Sequence, residues 1–451
     1  MIATTPAYDA ACAKKSVRPV HLVEIEGYGK VFSTQPDGPV PGAKCWIGTI
    51  GTLDQSIDDL NGSSTLQDVT LTVLDYRGLI TADFPLFTFE GVRLTLKAGF
   101  PGLAEADFMT LFTGIITEVA SDIDNTAYTF TAQDYNRVNQ QVVYLTGDDG
   151  QPTSNDHPKT VVGNPLDILI EILETQIGYA DHEIDLATIT AARDQLFAGM
   201  SFEFSITSPP DAKSFIEGEL LKPLGGYGFT DNLGRYTVDF FQPLEGGVTA
   251  AMTLDQTNLM TMPAMAQADL VNVISYRFDS DGDKFMSETV QQDAASIELY
   301  GAQGQQVIES QGVRSGFQGF SLAGMVARGI FARYGNKNPT VEVTAYWKFA
   351  KLMVGDFVAL THPLVPNRKT GTMGVTAQMF KVLERQLDPE AATCDLTLID
   401  ASAAAGFGTR RYAPLAEAAY AAASAADKAR YLFMSNTTGT QSNGDKNGLL
   451  G

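Results

Sequence analysis

The arrangement in this chain nearest to a metal loop is Asp279-Ser280-Asp281-Gly282-Asp283, with Glu288 beyond. A calcium-binding EF-hand loop takes oxygen ligands at alternate positions, glycine at its sixth place and glutamate at its twelfth. Here glycine is fourth and glutamate tenth, and strand-like segments flank the stretch, so it reads as a solvated hairpin turn. Asp148-Asp149-Gly150 reads as a turn as well. The four histidines, His21, His157, His182 and His362, show neither HxxxH nor HExxH spacing. His157 and His362 each precede a proline, and His182 sits between Asp181 and Glu183 as a surface cluster. The chain has no GxSxG elbow, no phosphate-cradling GxxxxGK[ST] loop and no GxGxxG after a strand. Glu217 and Glu219, two apart, do not share a helix face. Acids distant in sequence can meet to cleave glycosides, but no spacing here pairs them. The expectation is therefore a protein that is not an enzyme, with no catalytic, cofactor-binding or metal-binding residues.

Composition narrows the class further. The chain has 451 residues, enough for roughly two to four domains. At 44% hydrophobic and 10% aromatic it can build sizeable cores. Its formal charge of −22 argues against a surface that grips phosphates, because nucleic-acid affinity comes mostly from Lys and Arg. That charge is compatible with a protein that nucleic acid must pass without sticking. Cys12, Cys45 and Cys394 are odd in number and widely spaced, so they form neither a disulfide framework nor a CxxC site. No signal peptide is evident at the N-terminus, and no apolar run approaches the ~20 residues of a membrane-spanning helix.

Short strands with frequent turns dominate. Val20–Ile25, Leu66–Leu74 and Val92–Ala98 alternate, with Val69, Leu71 and Val73 on one face and Val92, Leu94 and Leu96 on another. Phe112–Val119 is a strand in which Gly114 signals a bulge or close approach. Asp122–Thr126 is its turn, and Tyr128–Ala132 returns. Residues 146–162 read as a polar linker. Asn164 then caps a helix with Pro165 at its first position, and Gly178 stops it. A second helix follows Asp211, and Tyr227–Phe241 reads as a hairpin turning at Asp231–Gly234. Asp269–Arg277 and Phe285–Gln291 form another hairpin, and Ser321–Tyr334 is an amphipathic helix. Lys351–Asp400 is a compact β unit with turns at Gly355-Asp356 and Asp388-Pro389. Trp46 and Trp347 lie beside strands and are expected in cores. Ala416–Ala429 is alanine-rich, followed by Tyr431, Leu432, Phe433 and Met434. This small-faced helix with an apolar tip either docks on another protein or folds back on its own chain.

The expected fold is α+β and mostly β. It comprises two small β-barrel or sandwich domains separated by helix-bearing inserted domains, with a C-terminal helical appendage. The expected limits are 1–145 for the first barrel, 146–245 for the insertion, 246–335 for a middle β segment ending in a helix, 336–405 for the second barrel and 406–451 for the tail.

Taken in order, several stretches resemble the baseplate or tail hub proteins of long-tailed, siphophage-like bacteriophages. Leu111–Asp134 looks like the first-barrel strand pair, and Gly163–Leu173 with Phe202–Pro243 is similar to the helix-bearing insertion. Val271–Phe278, Asp293–Gly304 and Ala332–Pro339 fit the middle, Leu352–His362 through Cys394–Asp400 the last barrel, and Ala422–Gly439 the tail. The resemblance implies two pseudo-equivalent barrels per chain and a homotrimeric ring that matches a hexameric tail above and a three-fold spike or fibre below. It implies a virion protein at the distal tail end, assembled in the host cytoplasm beside the distal tail protein and tape measure, with DNA passing through unbound. It supplies no catalytic residues and no cofactor. Part of the acidic excess is expected to line the lumen, where like charge keeps phosphates from sticking. Tyr431, Leu432, Phe433 and Met434 are the expected partner contacts. The alternative is a receptor- or carbohydrate-binding tail-tip protein, and a glycosidase or peptidase comes third.

Overall fold

In the computed structural model the described residues are all of 1–451 except 15–17, 36–43, 59, 66, 76–77, 84–86, 123–125, 135–140, 241–248, 283, 302–303, 316–318, 336, 368–371, 402–410, 413–430, 433 and 436–451. The fold is mostly β with added helices, as the alternation predicts. Val69, Leu71 and Val73 are buried while Asp68, Thr70 and Leu74 face out, the pattern of a strand with one face on a core.

The chain opens with helix α1 (Pro6–Cys12), capped by the Thr5 side chain. Strands β1 (Val20–Ile25), β2 (Val31–Ser33), β3 (Lys44–Cys45) and β4 (Ile47–Ile50) follow. Next come β5 (Leu53–Asp58) and β6 (Ser63–Ser64), then β7 (Asp68–Leu74) and a short helix α2 (Leu79–Asp83). Strands β8 (Arg93–Gly99), β9 (Met109–Ser121) and β10 (Ala127–Asp134) complete the first sheet, whose order is β3-β2-β1-β8-β9-β10-β7-β4. Its two end strands are one run of chain on either side of Trp46. The Trp46 amide donates to Ser33 O, and its carbonyl accepts from the Leu74 amide. The run 44–50 thus straps the sheet shut, parallel to β2 and antiparallel to β7.

The insertion carries β11 (Lys159–Gly163), α3 (Pro165–Glu171), α4 (Leu186–Leu196), β12 (Phe202–Ile206) and α5 (Ala212–Ser214), then the hairpin β13 (Gly226–Thr230) and β14 (Tyr236–Phe240). Asn164 caps α3 through Leu166 N, and Gly178 ends the helical run at φ +80°. Both α3 and α5 continue as π-helix, over Ile172–Ile177 and Phe215–Leu221. Neither these π segments, nor α4, nor the pairing of β11 with β12 was expected; Lys159–Val162 belongs to a strand, not to a linker.

Strands β15 (Met252–Asp255), β16 (Ala264–Gln267), β17 (Val273–Ser280) and β18 (Phe285–Asp293) precede α6 (Ala294–Tyr300), β19 (Gln305–Glu309) and α7 (Gly319–Tyr334). The second large sheet adds β20 (Pro339–Tyr346), β21 (Phe357–Asn367), β22 (Thr372–Asp388) and β23 (Thr393–Asp400) in the order β15-β21-β22-β23-β20-β16. Here too the end strands belong to one strap. It runs parallel to β21, crosses, and returns antiparallel to β20 through the Leu259–Ala345 bridge and the Met260 N to Thr344 O bond.

The two sheets repeat one plan. In the first, the strap pairs β7, β7 pairs β10, β10 pairs β9 and β9 pairs β8. In the second, the strap pairs β20, β20 pairs β23, β23 pairs β22 and β22 pairs β21. The β1–β2 hairpin is the first sheet's addition. The correspondence reaches the bulges. Thr117 is the extra residue on β9 opposite β10, and Leu383 the extra residue on β22 opposite β23. Such bulges add the twist that closing a small sheet requires. Strand β5 crosses over and pairs with the lower half of β22, extending the second sheet with a strand from the first part of the chain. One apolar core runs through both sheets and α1. Tyr8 meets Phe100 at 5.2 Å between ring centres, and His21 meets the buried Trp347 edge-on at 5.6 Å.

Gly114 marks a close approach: a Cβ there would lie 2.2 Å from Gln133 O and 2.4 Å from the Phe112 ring. Gly114→Ala is expected to lower stability by about 3 kcal/mol, since the obstacle is backbone. Urea unfolding checks this, and a loss below about 0.5 kcal/mol, the ordinary surface range, would contradict it.

Candidate functional site

Two of the polar clusters among the described residues lie at seams where separate parts of the chain meet. The first lies between the second sheet and the β13–β14 hairpin. On β22, Phe380 and Val382 enter the barrel core, which turns Lys381 outward under the hairpin, where its exposure is 0%. Its Nζ lies 3.5 Å from Asp239 Oδ2 on β14 and 4.8 Å from the centre of the Tyr227 ring on β13. The Tyr227 hydroxyl donates to Asp239 Oδ2 at 2.5 Å. Gly355, at φ +87°, lets the turn pass under this pair; a Cβ there would stand 3.1 Å from the Tyr227 hydroxyl. Packing under the hairpin pushes the Asp239 carboxyl upward, although 37% of the side chain stays open. The Lys381 ammonium, the Tyr227 hydroxyl and the Arg333 guanidinium outweigh that push and hold the group below the usual carboxylate range. Beside it, Asn338 Nδ2 donates to Arg333 O and Asp400 O, and Gln378 Nε2 donates to Asp400 Oδ2 at 2.8 Å. Side chains from α7, β14, β22 and β23 thus form one buried polar lock.

The second seam joins the end of β10 to the strand β5 and the same hairpin. Gln55 Nε2 donates to Thr230 O at 3.1 Å, Ser64 Oγ to Gly228 O at 2.7 Å and Asn232 Nδ2 to Thr110 O at 3.0 Å. Asp134, buried at the end of β10, accepts from the Gln67 amide. Burial pushes its carboxyl up to about 7; the Gln67 amide, the Thr230 hydroxyl and Lys213 oppose that only in part, and Asp68 adds to it. Buried charged groups with few partners cost stability but fix geometry. Both seams join the β13–β14 hairpin to strands from other parts of the chain.

The residues singled out from the sequence are scattered. Asp279 accepts from Ser287 Oγ and the Ser315 amide, and the Asp281 carboxylate accepts from the Lys284 amide, as a hairpin turn would; Asp283 lies outside the described residues. No group of three or more His, Cys, Asp or Glu among the described residues could hold a metal ion. Burial pushes His21 down to about 4 and also lowers His362. His157 pairs with Asp149 on the surface at 2.6 Å, and His182 is exposed on a short turn. Burial raises Glu217 to about 7, with Lys213 opposing, while Glu219 accepts from the Gln311 amide. At the C-terminus, Tyr431–Leu432 pairs with Arg411–Tyr412, and Met434–Ser435 pairs with Gln292 and Asp293 of β18. Phe433 and the alanine-rich run 416–429 lie outside the described residues. No helix among the described residues is long and apolar enough to cross a membrane.

A scan against protein-family models finds no match, and neither does a search of curated proteins. Among solved structures the chain is similar to a 43 kDa tail protein of prophage MuSo2 from Shewanella oneidensis, at 13% identity and a TM-score of 0.47, over 85% of this chain and 99% of that one. It is similar to a tail protein from Neisseria meningitidis MC58, at 11% identity and a TM-score of 0.47, over 87% and 99%. It is also similar to prophage tail protein gp18 from Listeria monocytogenes EGD-e, at 10% identity and a TM-score of 0.47, over 84% and 94%. Likenesses at this level decide neither fold nor function.

Proposed function

We propose that the chain is a structural protein of a phage-type tail, the hub of the tail tip or baseplate. Three copies form a ring that joins a hexameric tail to a three-fold spike or fibre and lets DNA through. The observation that carries the reading is the repeated strand order, strap-β7-β10-β9-β8 and strap-β20-β23-β22-β21, with its matching bulges. A chain holding two like barrels gives six like positions from three copies, which is how a three-fold ring can meet a six-fold partner. The order of motifs along the sequence supports the same reading. In this proposal the first barrel spans 1–145, the insertion 146–245, the middle segment 246–335, the second barrel 336–405 and the tail 406–451. Strand β5 is lent from the first barrel to the second. The seams serve as rigid joints that hold the two barrels at a fixed angle.

The remaining roles follow. Carboxylates line the channel, the protein sits at the distal tail end after assembly in the host cytoplasm, and its neighbours are the distal tail protein, the tape measure and the spike or fibre. No chemistry is assigned to it. Tyr431, Leu432, Phe433 and Met434 contact a neighbouring tail protein. Removing all residues after Ala413 is expected to reduce assembled particles at least tenfold while the truncated chain still folds. Unchanged particle yield would remove that role. Light-scattering mass of the purified chain tests the ring: three chain masses are expected, and a monomer at every concentration would contradict it.

A further inference from the structure

The two barrels match closely at one strand, yet only one of them has that strand covered. In the second barrel the Gly355 amide donates to Val382 O and the Val382 amide to Asp356 O. Leu383 then bulges, and residues 384–387 of β22 run on with β5 along their other side. In the first barrel the Gly91 amide donates to Ile116 O and the Ile116 amide to Val92 O. Thr117 then bulges, and residues 118–121 of β9 run on. Residue for residue, Val119 holds the place of Arg385, and Ser121 that of Leu387. Among the described residues no strand lies along the free side of 118–121. Arg385 is 1% exposed and Leu387 0%, whereas Val119 is half-buried and Ser121 exposed.

A second open edge is β16. All four of its residues are exposed, and among the described residues β20 alone pairs with it. Met265 lies opposite the buried Val341, on the core side of the sheet, yet is 37% exposed. The flanking bonds fix which main-chain groups are free. The Ala268 amide donates to Asn338 O, so by alternation Ala264 and Ala266 face β20, and Met265 and Gln267 turn their N–H and C=O groups outward. The Asp122 amide donates to Ala127 O, so Glu118 and Ala120 face β10, and Val119 and Ser121 turn theirs outward.

The repeated plan brings these two edges to corresponding places. In the first barrel the Gly51 amide donates to Thr70 O, in the row formed by Thr70, Thr131 and Glu118. In the second, Ala264 stands at the end of the row formed by Glu342, Thr397 and Glu384. From Gly51 the chain reaches the neighbouring barrel at once, because Leu53 already pairs with Leu387. Strand β16 therefore sits where β5 sets out, beside the position of a neighbouring barrel's bulged strand.

We propose that β16 of one copy adds to the free edge of β9 in the next copy, antiparallel, as β5 adds to β22 within a chain. Met265 lies opposite Ser121 and Gln267 opposite Val119, exchanging main-chain hydrogen bonds, and Ala266 meets Ala120 between them. The partner is a second copy because, in the second barrel, the strand that fills this place comes from the adjacent barrel. The two edges differ, so the contact is head-to-tail and closes into a ring. It rests on the ring reading above and deepens it by naming the joint between copies.

Ala120→Cys with Ala266→Cys tests the register. Opposed residues of a non-hydrogen-bonded antiparallel pair have Cα atoms about 4.5 Å apart, within reach of a disulfide. Oxidising the assembled double variant is expected to give covalent trimers, absent from either single variant. Val119→Pro and Met265→Pro each remove an outward N–H and leave the bonds to β10 and β20 in place. Each is expected to raise the concentration at which half the chains assemble by about tenfold or more, with the melting temperature of the dissociated chain unchanged. If the wild type assembles but the cysteine pair links no copies, or both proline variants assemble as the wild type does, the strand-addition contact is wrong and the ring reading stands. If the wild type never assembles, the ring reading fails and this contact with it.

Discussion

Asp134→Asn is expected to make the protein more stable at pH 8, by up to about 4 kcal/mol, and to change it little at pH 4. Burial at the second seam pushes the Asp134 carboxyl up to about 7, whereas in the unfolded chain it titrates near the ordinary value of about 3.9. Below about pH 4 both states are protonated. Between about 4 and 7 the unfolded chain loses the proton while the folded chain keeps it, so stability falls as pH rises, by ~1.4 kcal/mol per unit over about three units. Above about 7 both states are ionised and the cost is constant. An amide has no such cost, so the variant lacks this slope. Urea or thermal unfolding from pH 4 to 8 measures the effect; parallel profiles for the two proteins would refute it.

The second large effect concerns the lock between β22 and the hairpin. Lys381→Met keeps most of the volume but leaves Asp239 ionised beside the Tyr227 hydroxyl without its ammonium. Breaking one side of a buried pair costs about 3–5 kcal/mol. Because Asp239 is 37% open, the expected loss at pH 7 is about 2 kcal/mol. Adding Asp239→Asn should recover at least half of it, since no lone charge is then left. The Asp239 carboxyl is depressed by its partners, so its contribution is present above the unfolded value and is lost as pH falls through the folded one. A double variant no better than the single one would show that Lys381 acts through packing alone.

Much of the fold was legible because strands with one buried face write a period of two. Val69-Leu71-Val73 and Leu94-Leu96 announced themselves in this way. The Asn164 cap and the Gly178 stop were legible because cap chemistry is local. The two straps were not. Lys44–Ile50 and Met252–Gln267 carry short strands whose pairing partners lie up to about a hundred residues away, so no local period marks them. The crossing of β5 into the second sheet is non-local in the same sense. The π-helical turns were hidden because their residues, Phe215, Ile216, Leu220 and Leu221, have the spacing of an ordinary amphipathic helix. The first seam leaves one signal in the sequence. Lys381 interrupts the apolar run Met379-Phe380-Lys381-Val382-Leu383, and a lysine within a strand that has both faces covered needs a carboxylate partner. At the second seam Asp134 and Thr230 are ordinary polar ends of alternating strands, and only Gln55, between Leu53 and Ile57 on the buried face of β5, breaks an apolar face.

In the proposed ring the two like barrels of each chain serve as two of six like positions. An electron-microscopy reconstruction of the purified protein, or of the tail tip that carries it, tests this most directly. The expected result is a ring of three chains in which the strap-β7 and strap-β20 barrels alternate around a channel lined by carboxylates. A reconstruction in which the two barrels lie at different radii, or in which Lys and Arg dominate the channel, would contradict it.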